Sequence, residues 1–220
     1  MESFLPKKKN QKGTNEGYYL LDDAGAIFIS GYYELPMKDV KWNKRDNLIK
    51  PEKLQHTFKI CDVRSSLEKD ARKKGHKIIN CVSDRHLYFP FKHEENSFVL
   101  RPDMYFNYIT ERKQYTYFVE IDLGTMAMTE NSFKTNSFDN KVYYYENFKL
   151  SEAYKEYLEA FPRILVITTT TNRAEKLAQA VKEKQKTKVE FLFTSFALWK
   201  EYPTGPIFLK TNGEYTSMFE

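Results

Sequence analysis

Three acidic residues, Asp103, Glu120 and Asp122, have the type and spacing that chemistry on a charged substrate requires. Segment 115–123, YTYFVEIDL, alternates in the manner of a β-strand, and residues two apart in a strand point to the same face. Glu120 and Asp122 are therefore expected to project together, whereas the apolar residues beside them face the other way. Because adjacent carboxylates repel each other unless a positive group lies near, this strand face is a candidate site.

Asp103 belongs to the preceding segment 98–109, FVLRPDMYFNYI, which TERKQ connects to strand 115–123 as a β-hairpin. Cross-strand neighbours lie within side-chain reach, so three carboxylates could meet at one Mg²⁺ or Mn²⁺ ion. Mg²⁺ usually binds one or two carboxylates together with waters and substrate phosphate, and such a metal activates a bound water. The alternative is a solvated strand face with surface acids, and the spacing alone favours it. Pro102 indicates an edge, a bulge or a bend beside Asp103.

The hydrophobic periodicity of the chain predicts alternating helices and strands. A helix is expected over about 51–74, where Pro51 suits a first helical position and Gly75 follows as a C-cap. Together the elements predict an α/β fold with a central mixed β-sheet flanked by helices. The other predicted elements are strands at 77–82, 98–109 and 115–123, helices at 129–148 and 151–160, a strand at 163–169, a helix starting near Asn172 with Glu175 three residues later, and a strand at 189–194.

The first 50 residues differ in character from the rest of the chain. Residues 1–16 are polar and basic and are expected to be disordered, whereas 17–35 predicts short strands around turns and 36–50 a charged linker. We therefore expect an N-terminal extension over 1–50 and one α/β domain over 51–220. The residues after 194, which include Pro203, Gly205 and Pro206, are expected to be irregular.

The overall composition limits the classes of function. A net charge of +5 weakly favours an anionic partner such as nucleic acid. Cys61 and Cys81 do not form a CxxC pair, and two free thiols suit a reducing cytoplasm. The sequence has neither an apolar run long enough to span a membrane nor the apolar stretch of a signal peptide, so we expect a cytoplasmic protein without a membrane partner. It also lacks GxxxxGK and GxSxG, which argues against P-loop nucleoside triphosphatases and serine hydrolases.

Three motifs occur in order in the chain: RPDMYF at 101–106, YFVEIDLGTM at 117–126 and FDNKVYYY at 138–145. They resemble the pattern of the replication-relaxation family of plasmid and mobile-element proteins. That pattern is RPD, then E-x-D-x-G-T, then a Lys followed by a Tyr on a helix. LQHTFKICDVRSSL at 54–67 and AFPRILVITTTTNR at 160–173 are similar to segments of the family before and after this core. The resemblance covers roughly residues 54 to 200.

The same layout is similar to the PD-(D/E)xK nuclease superfamily, and this second resemblance implies a restriction-endonuclease-like fold. Asp103 matches the first acid of that motif and Glu120 the second, whereas Asp122 stands at the usual lysine. Some members of the superfamily carry the lysine on the next helix, which makes Lys141 the candidate and Lys134 the second choice. The resemblance therefore implies a catalytic set of Asp103, Glu120, Asp122 and Lys141, with Mg²⁺ or Mn²⁺ held by the three acids.

Four further residues are candidates for contact with nucleic acid, and three of them have a structural alternative. Arg101 could meet phosphate through two hydrogen bonds or pair with a neighbouring acid. Thr125 could touch phosphate or cap a helix, and Lys134 is a second cation after the acids. Arg173 follows a strand at a helix start, where an anion could bind, although a polar loop there needs no ligand.

Two functions from different classes follow from these observations. The first is a mobile-element protein that processes DNA by metal-dependent phosphodiester hydrolysis linked to replication. The second is a catalytically inactive regulator of plasmid replication or copy number, which binds DNA or a replication protein on a nuclease-like scaffold, since a fold does not fix a function. Members of the resembled family usually carry a DNA-binding winged helix, and GYYLLDDAGA at 17–26 is similar to the end of its wing. A homodimeric interaction protein is a third reading.

Overall fold

The computed structural model describes residues 2–4, 18–40, 42, 51–83, 86–124 and 137–220. The chain divides into two compact units, Met1–Thr57 and Phe58–Glu220. The division falls within the second helix, which begins at the proline expected to start it. None of the described helices has the length and apolar character needed to cross a membrane.

The described residues of the first unit include a small antiparallel pair of strands, a helix and the beginning of the second helix. Strand β1 (Glu2–Phe4) pairs with β2 (Tyr18–Leu20), and helix α1 spans Asp23–Tyr32. The Asp22 carboxylate accepts a hydrogen bond from the backbone N–H of Gly25 at 2.8 Å and caps the helix. The prediction of short strands over 17–35 is therefore wrong for 23–32, because Asp22 caps a helix that begins at Asp23 where a turn was predicted. Residues 1–16 were predicted to be disordered, but Glu2–Phe4 form β1 and the other residues of this range lie outside the described residues.

Within the described residues of the second unit, seven strands form a mixed sheet, which confirms the predicted α/β architecture. Their order is β11-β10-β9-β8-β7-β6-β3, in which β7, β8 and β9 are parallel and the other neighbours are antiparallel. The strands are β3 (Lys77–Ser83), β6 (Met104–Ile109), β7 (Gln114–Asp122), β8 (Arg163–Thr168), β9 (Phe191–Ser195), β10 (Phe208–Lys210) and β11 (Tyr215–Thr216).

Helices cover both faces of this sheet. Buried residues of α2 (Pro51–Lys73) and α5 (Phe196–Glu201) pack on one face. Helix α3 (Phe138–Leu150), helix α4 (Thr171–Lys184) and a hairpin of β4 (Phe89–His93) and β5 (Asn96–Leu100) pack on the other. Strand β7 alternates between these two cores as predicted. Phe118 lies on the α3 side, and Val119 and Ile121 lie on the α2 side.

Several predicted boundaries differ from the structure for identifiable reasons. The single strand predicted over 98–109 is two strands, β5 and β6, because Pro102 and the residues beside it interrupt the run. Helix α3 begins at Phe138, and the predicted helical residues 129–136 lie outside the described residues. The predicted helix over 151–160 is a short 3₁₀ turn, Ala153–Glu156. The supposedly irregular C-terminal part contains α5, β10 and β11.

Candidate active site

Asp103 is fixed at the start of β6 by the backbone of β7. Its own N–H donates to the carbonyl oxygen of Val119 at 3.0 Å, and its Oδ2 accepts from the N–H of Ile121 at 2.7 Å. The β6–β7 register pairs Met104 with Val119, so Asp103 comes to lie beside Glu120. The backbone and the side chain of Asp103 thus tie the RPD segment to β7, the strand that carries the second acid.

Glu120 lies on the face of β7 that α3 covers, and only 3% of its surface is exposed. Its Oε1 accepts a hydrogen bond from the Tyr145 hydroxyl at 2.6 Å, and its Oε2 accepts one from the Lys141 ammonium. Lys141 and Tyr145 are four residues apart, so they occupy the same face of the helix one turn apart. Ser137 caps α3 by accepting from the N–H of Asn140 at 3.3 Å, which places Lys141 in the first turns of the helix.

The Lys141 ammonium also lies 3.9 Å from Oδ2 of Asp103, so one positive charge stands beside two carboxylates. We call Asp103, Glu120 and Lys141 the acid–lysine cluster. Burial raises the pKa of Glu120 to about 7, and the Asp103 carboxylate adds to this while the Lys141 ammonium opposes it. Burial acts against the charged form of Lys141, but the two carboxylates outweigh it and raise the pKa of that amine above its ordinary value.

Asp122 is engaged by a different set of groups. The Arg173 guanidinium donates two hydrogen bonds to it, from Nε to Oδ2 and from Nη2 to Oδ1, the latter at 3.0 Å. The Thr168 hydroxyl donates to Oδ2 at 2.6 Å, and the N–H of Gly124 donates to Oδ1 at 3.2 Å. Burial would raise the pKa of Asp122, but the hydrogen bonds from Arg173 and Thr168 outweigh it and lower the pKa below its usual value.

The structure therefore brings together Asp103, Glu120 and Lys141 of the predicted set and directs Asp122 to Arg173. Of the residues proposed to contact nucleic acid, Arg101 is exposed, and its guanidinium lies 5.0 Å from the centre of the Tyr88 ring. Arg173, at the start of α4, forms an ion pair with Asp122. Thr125 and Lys134 lie outside the described residues.

Two contacts of the site were missed at the sequence level. Tyr145 was noted only as part of a motif, although its i, i+4 spacing from Lys141 is a signal that both side chains reach the same strand. The pairing of Asp122 with Arg173 depends on β7 and β8 ending at the same edge of the sheet, where Asp122 is opposite Thr168. Helix α4 then begins next to that edge, with Thr170 rather than Asn172 as its N-cap.

The chemistry of the donors limits which metal arrangement fits. Within the described residues, no group of three His, Cys, Asp or Glu side chains is arranged to hold one metal ion. Asp103 and Glu120 together still supply two hard oxygen donors, and Mg²⁺ usually takes one or two carboxylates with waters completing its shell. A two-carboxylate ion beside Lys141 therefore fits the residues present.

The contribution of the hydrogen bond from Thr168 to Asp122 can be tested directly by mutation. Replacing Thr168, which is fully buried, with valine removes one donor to a carboxylate and is expected to lower the free energy of unfolding by about 2 kcal/mol at pH 7. The pKa of Asp122 is lower in the folded state than its ordinary 3.8, so this stabilisation is present above that value and is lost as pH falls through the folded-state pKa. Urea unfolding at pH 7 and near pH 3 measures the difference.

The exposed neighbour Thr169→Val is the matched control and should change stability little. A Thr168→Val protein with wild-type stability at pH 7 would show that this hydrogen bond contributes nothing measurable.

Comparison with known proteins identifies one family. No curated protein and no solved structure matches the chain. The sequence model of the replication-relaxation family matches residues 1–164. This match spans 164 of 220 residues and includes Asp103, Glu120, Asp122 and Lys141. The chain belongs to the replication-relaxation family.

Proposed function

We propose that this protein acts on DNA during the replication of a mobile element, and that it hydrolyses phosphodiester bonds with the help of Mg²⁺ or Mn²⁺ on a PD-(D/E)xK-like core. The observation that supports this most is the acid–lysine cluster. Asp103 before β6, Glu120 near the end of β7 and Lys141 on α3 meet within hydrogen-bonding or ion-pair distance. Two carboxylates can hold a divalent ion and an ammonium can stabilise the charge on a phosphate, and metal-dependent phosphodiester hydrolysis uses both effects.

Each residue of the cluster has a role that its contacts suit. Asp103 and Glu120 would hold the divalent ion, which when bound supplies a more acidic water and positive charge for the phosphate. Lys141 carries an ammonium with its pKa raised, so it remains charged at neutral pH and can steady a phosphate oxygen. Asp122 was included in the metal set at the sequence level, and its ion pair with Arg173 suits a supporting position better.

The position of the lysine supports the nuclease-like reading. In the PD-(D/E)xK pattern a lysine stands two residues after the second acid. This chain has Asp122 there, and Asp122 is held by Arg173. Lys141 delivers the ammonium to Glu120 from the covering helix instead. The amine therefore reaches the carboxylate from another element, and the chemistry does not require a lysine on β7.

Incubation of the purified protein with supercoiled plasmid and with labelled single-stranded DNA tests the proposal. Nicked or shortened products are expected with Mn²⁺ or Mg²⁺ and should disappear when the metal is chelated. Ca²⁺ serves as a control ion for DNA binding, measured by gel shift in the same buffer. A protein that binds DNA but yields no product with any of these DNAs and either metal would contradict the hydrolytic proposal.

A second candidate is an inactive regulator that binds DNA or a replication protein. The observation that favours it is the completeness of the internal hydrogen bonds: both oxygens of Glu120 and both of Asp122 already accept bonds from protein groups. A buried network of this kind also suits a scaffold. Under this reading Glu120→Ala leaves DNA or partner binding unchanged and wild-type protein yields no product.

A further inference from the structure

We propose that Tyr145 is a positioning residue of the acid–lysine cluster, which holds the Glu120 carboxylate so that Oε2 faces Lys141 and Asp103. The proposal deepens the hydrolytic function proposed above and rests on it. Tyr145 touches Glu120 directly, with its hydroxyl 2.6 Å from Oε1. The opposite oxygen, Oε2, is the one that accepts from Lys141.

The carboxylate of a glutamate needs such a partner because its last torsion is weakly constrained. Rotation about the terminal sp³–sp² bond is broad and roughly two-fold, so the two oxygens exchange easily when nothing holds either of them. A hydrogen bond to an ionised acceptor is shorter and stronger than a neutral one. The Tyr145 bond therefore fixes the plane of the Glu120 carboxylate and keeps one of its two oxygens turned toward the rest of the cluster.

The hydroxyl of Tyr145 is itself held rigidly by the packing of its ring. Tyr145 is fully buried, and its ring centre lies 6.0 Å from that of Phe118 and 5.9 Å from that of Phe191. These contacts come from β7 and β9, so two strands of the sheet fix the ring. Burial raises the pKa of Tyr145 well above its ordinary value, and the charge of Glu120 raises it further. The hydroxyl therefore stays protonated and donates.

A purely structural hydroxyl would fill the same space, so the test must measure more than stability. Tyr145→Phe removes one oxygen and keeps the ring between Phe118 and Phe191. Tyr143→Phe, on the same helix but 46% exposed, is the matched control. Removing a group that orients a metal ligand typically costs about 10–100-fold in metal affinity or activity. For Tyr145→Phe we therefore expect weaker Mn²⁺ binding by electron paramagnetic resonance and a kcat lower by about that factor, with the KM for DNA unchanged.

A second readout does not depend on cleavage. In protein labelled with ¹³C at glutamate carboxyls, the Glu120 signal is assigned by its loss in Glu120→Gln. It is expected to shift and broaden in Tyr145→Phe and to stay in place in Tyr143→Phe. Cooperative unfolding of each variant confirms that it is folded.

The outcomes separate this inference from the proposed function. An unmoved Glu120 signal in folded Tyr145→Phe overturns the positioning role, whatever the wild-type protein does to DNA. Wild-type kcat and Mn²⁺ affinity in Tyr145→Phe overturn it as well. A moved signal combined with a wild-type protein that neither cuts DNA nor binds Mn²⁺ overturns the hydrolytic function, and with it the role of Tyr145 in the reaction. A moved signal together with a lowered kcat supports both.

Discussion

Glu120→Gln is expected to reduce the rate of DNA cleavage by about a thousandfold, the size of effect found when one preorganised charge-stabilising group is removed from an active site. Glutamine has nearly the same shape, and its carbonyl oxygen can still accept from Tyr145 or Lys141. The change therefore removes the negative charge while it preserves the packing beneath α3. Single-turnover cleavage of an end-labelled DNA with Mn²⁺ measures the rate.

Asp103→Asn tests the same cluster from the other strand. Asparagine can still accept from the N–H of Ile121, so the backbone contact between the start of β6 and β7 is kept. The effects of residues that act as one unit on the cleavage rate are not additive. The double variant Asp103→Asn/Glu120→Gln should therefore cut no more slowly than the slower of its two single variants. Glu152→Gln, whose side chain is 66% exposed, is the matched control and should cut at the wild-type rate. Full activity in folded Glu120→Gln would show that the Glu120 carboxylate takes no part in the reaction.

Lys141→Met is expected to destabilise the protein by about 3 kcal/mol at pH 8, because it leaves a buried carboxylate without its cation. Glu120 is almost completely buried, and the Lys141 side chain is 27% exposed, so water compensates only in part. Methionine retains most of the aliphatic length of lysine, so the loss reports mainly on charge. Chemical unfolding of the wild type and the variant gives the difference in free energy.

The pH dependence of this effect has a definite sign. Without the ammonium, the folded-state pKa of Glu120 rises still further above its unfolded value of 4.5, so the folded state binds a proton more tightly than the unfolded state does. Stability of Lys141→Met therefore falls as pH rises from 4.5 toward the folded-state pKa, and the penalty is smaller at pH 5 than at pH 8. Adding Glu120→Gln to Lys141→Met should restore part of the loss. A penalty that is equal at both pH values would show that the ion pair is not its cause.

The parts of the site that follow from short-range periodicity could be predicted from the sequence. Strand alternation places Glu120 and Asp122 on one face of β7, and the hairpin brings Asp103 beside Glu120. Lys141 was reached through a resemblance, and its four-residue spacing from Tyr145 fits a single helix face. These relations depend on residues that are close in sequence or joined by a tight turn.

The parts that depend on long-range pairing could not be predicted in the same way. Asp122 and Arg173 are 51 residues apart and meet only because β7 and β8 are parallel and end together. The β4–β5 hairpin was missed because Pro90 weakens the strand signal of β4, whereas the end of β5 was predicted as part of one strand that continued through Pro102 into β6. Helix α1 was missed because its aromatic and β-branched residues have strand propensity, whereas the Asp22 cap determines its start.

A crystal soaked in Mn²⁺ tests the central claim most directly, since the anomalous signal of the metal locates it without any assumption about the reaction. The account predicts one ion bound by carboxylate oxygens of Asp103 and Glu120 at about 2.0–2.1 Å, the distance that Mg²⁺ demands, with the Lys141 ammonium displaced from Glu120. Anomalous density that lies elsewhere, or a fully soaked crystal in which Lys141 stays on Glu120 and no metal touches Asp103, would contradict it.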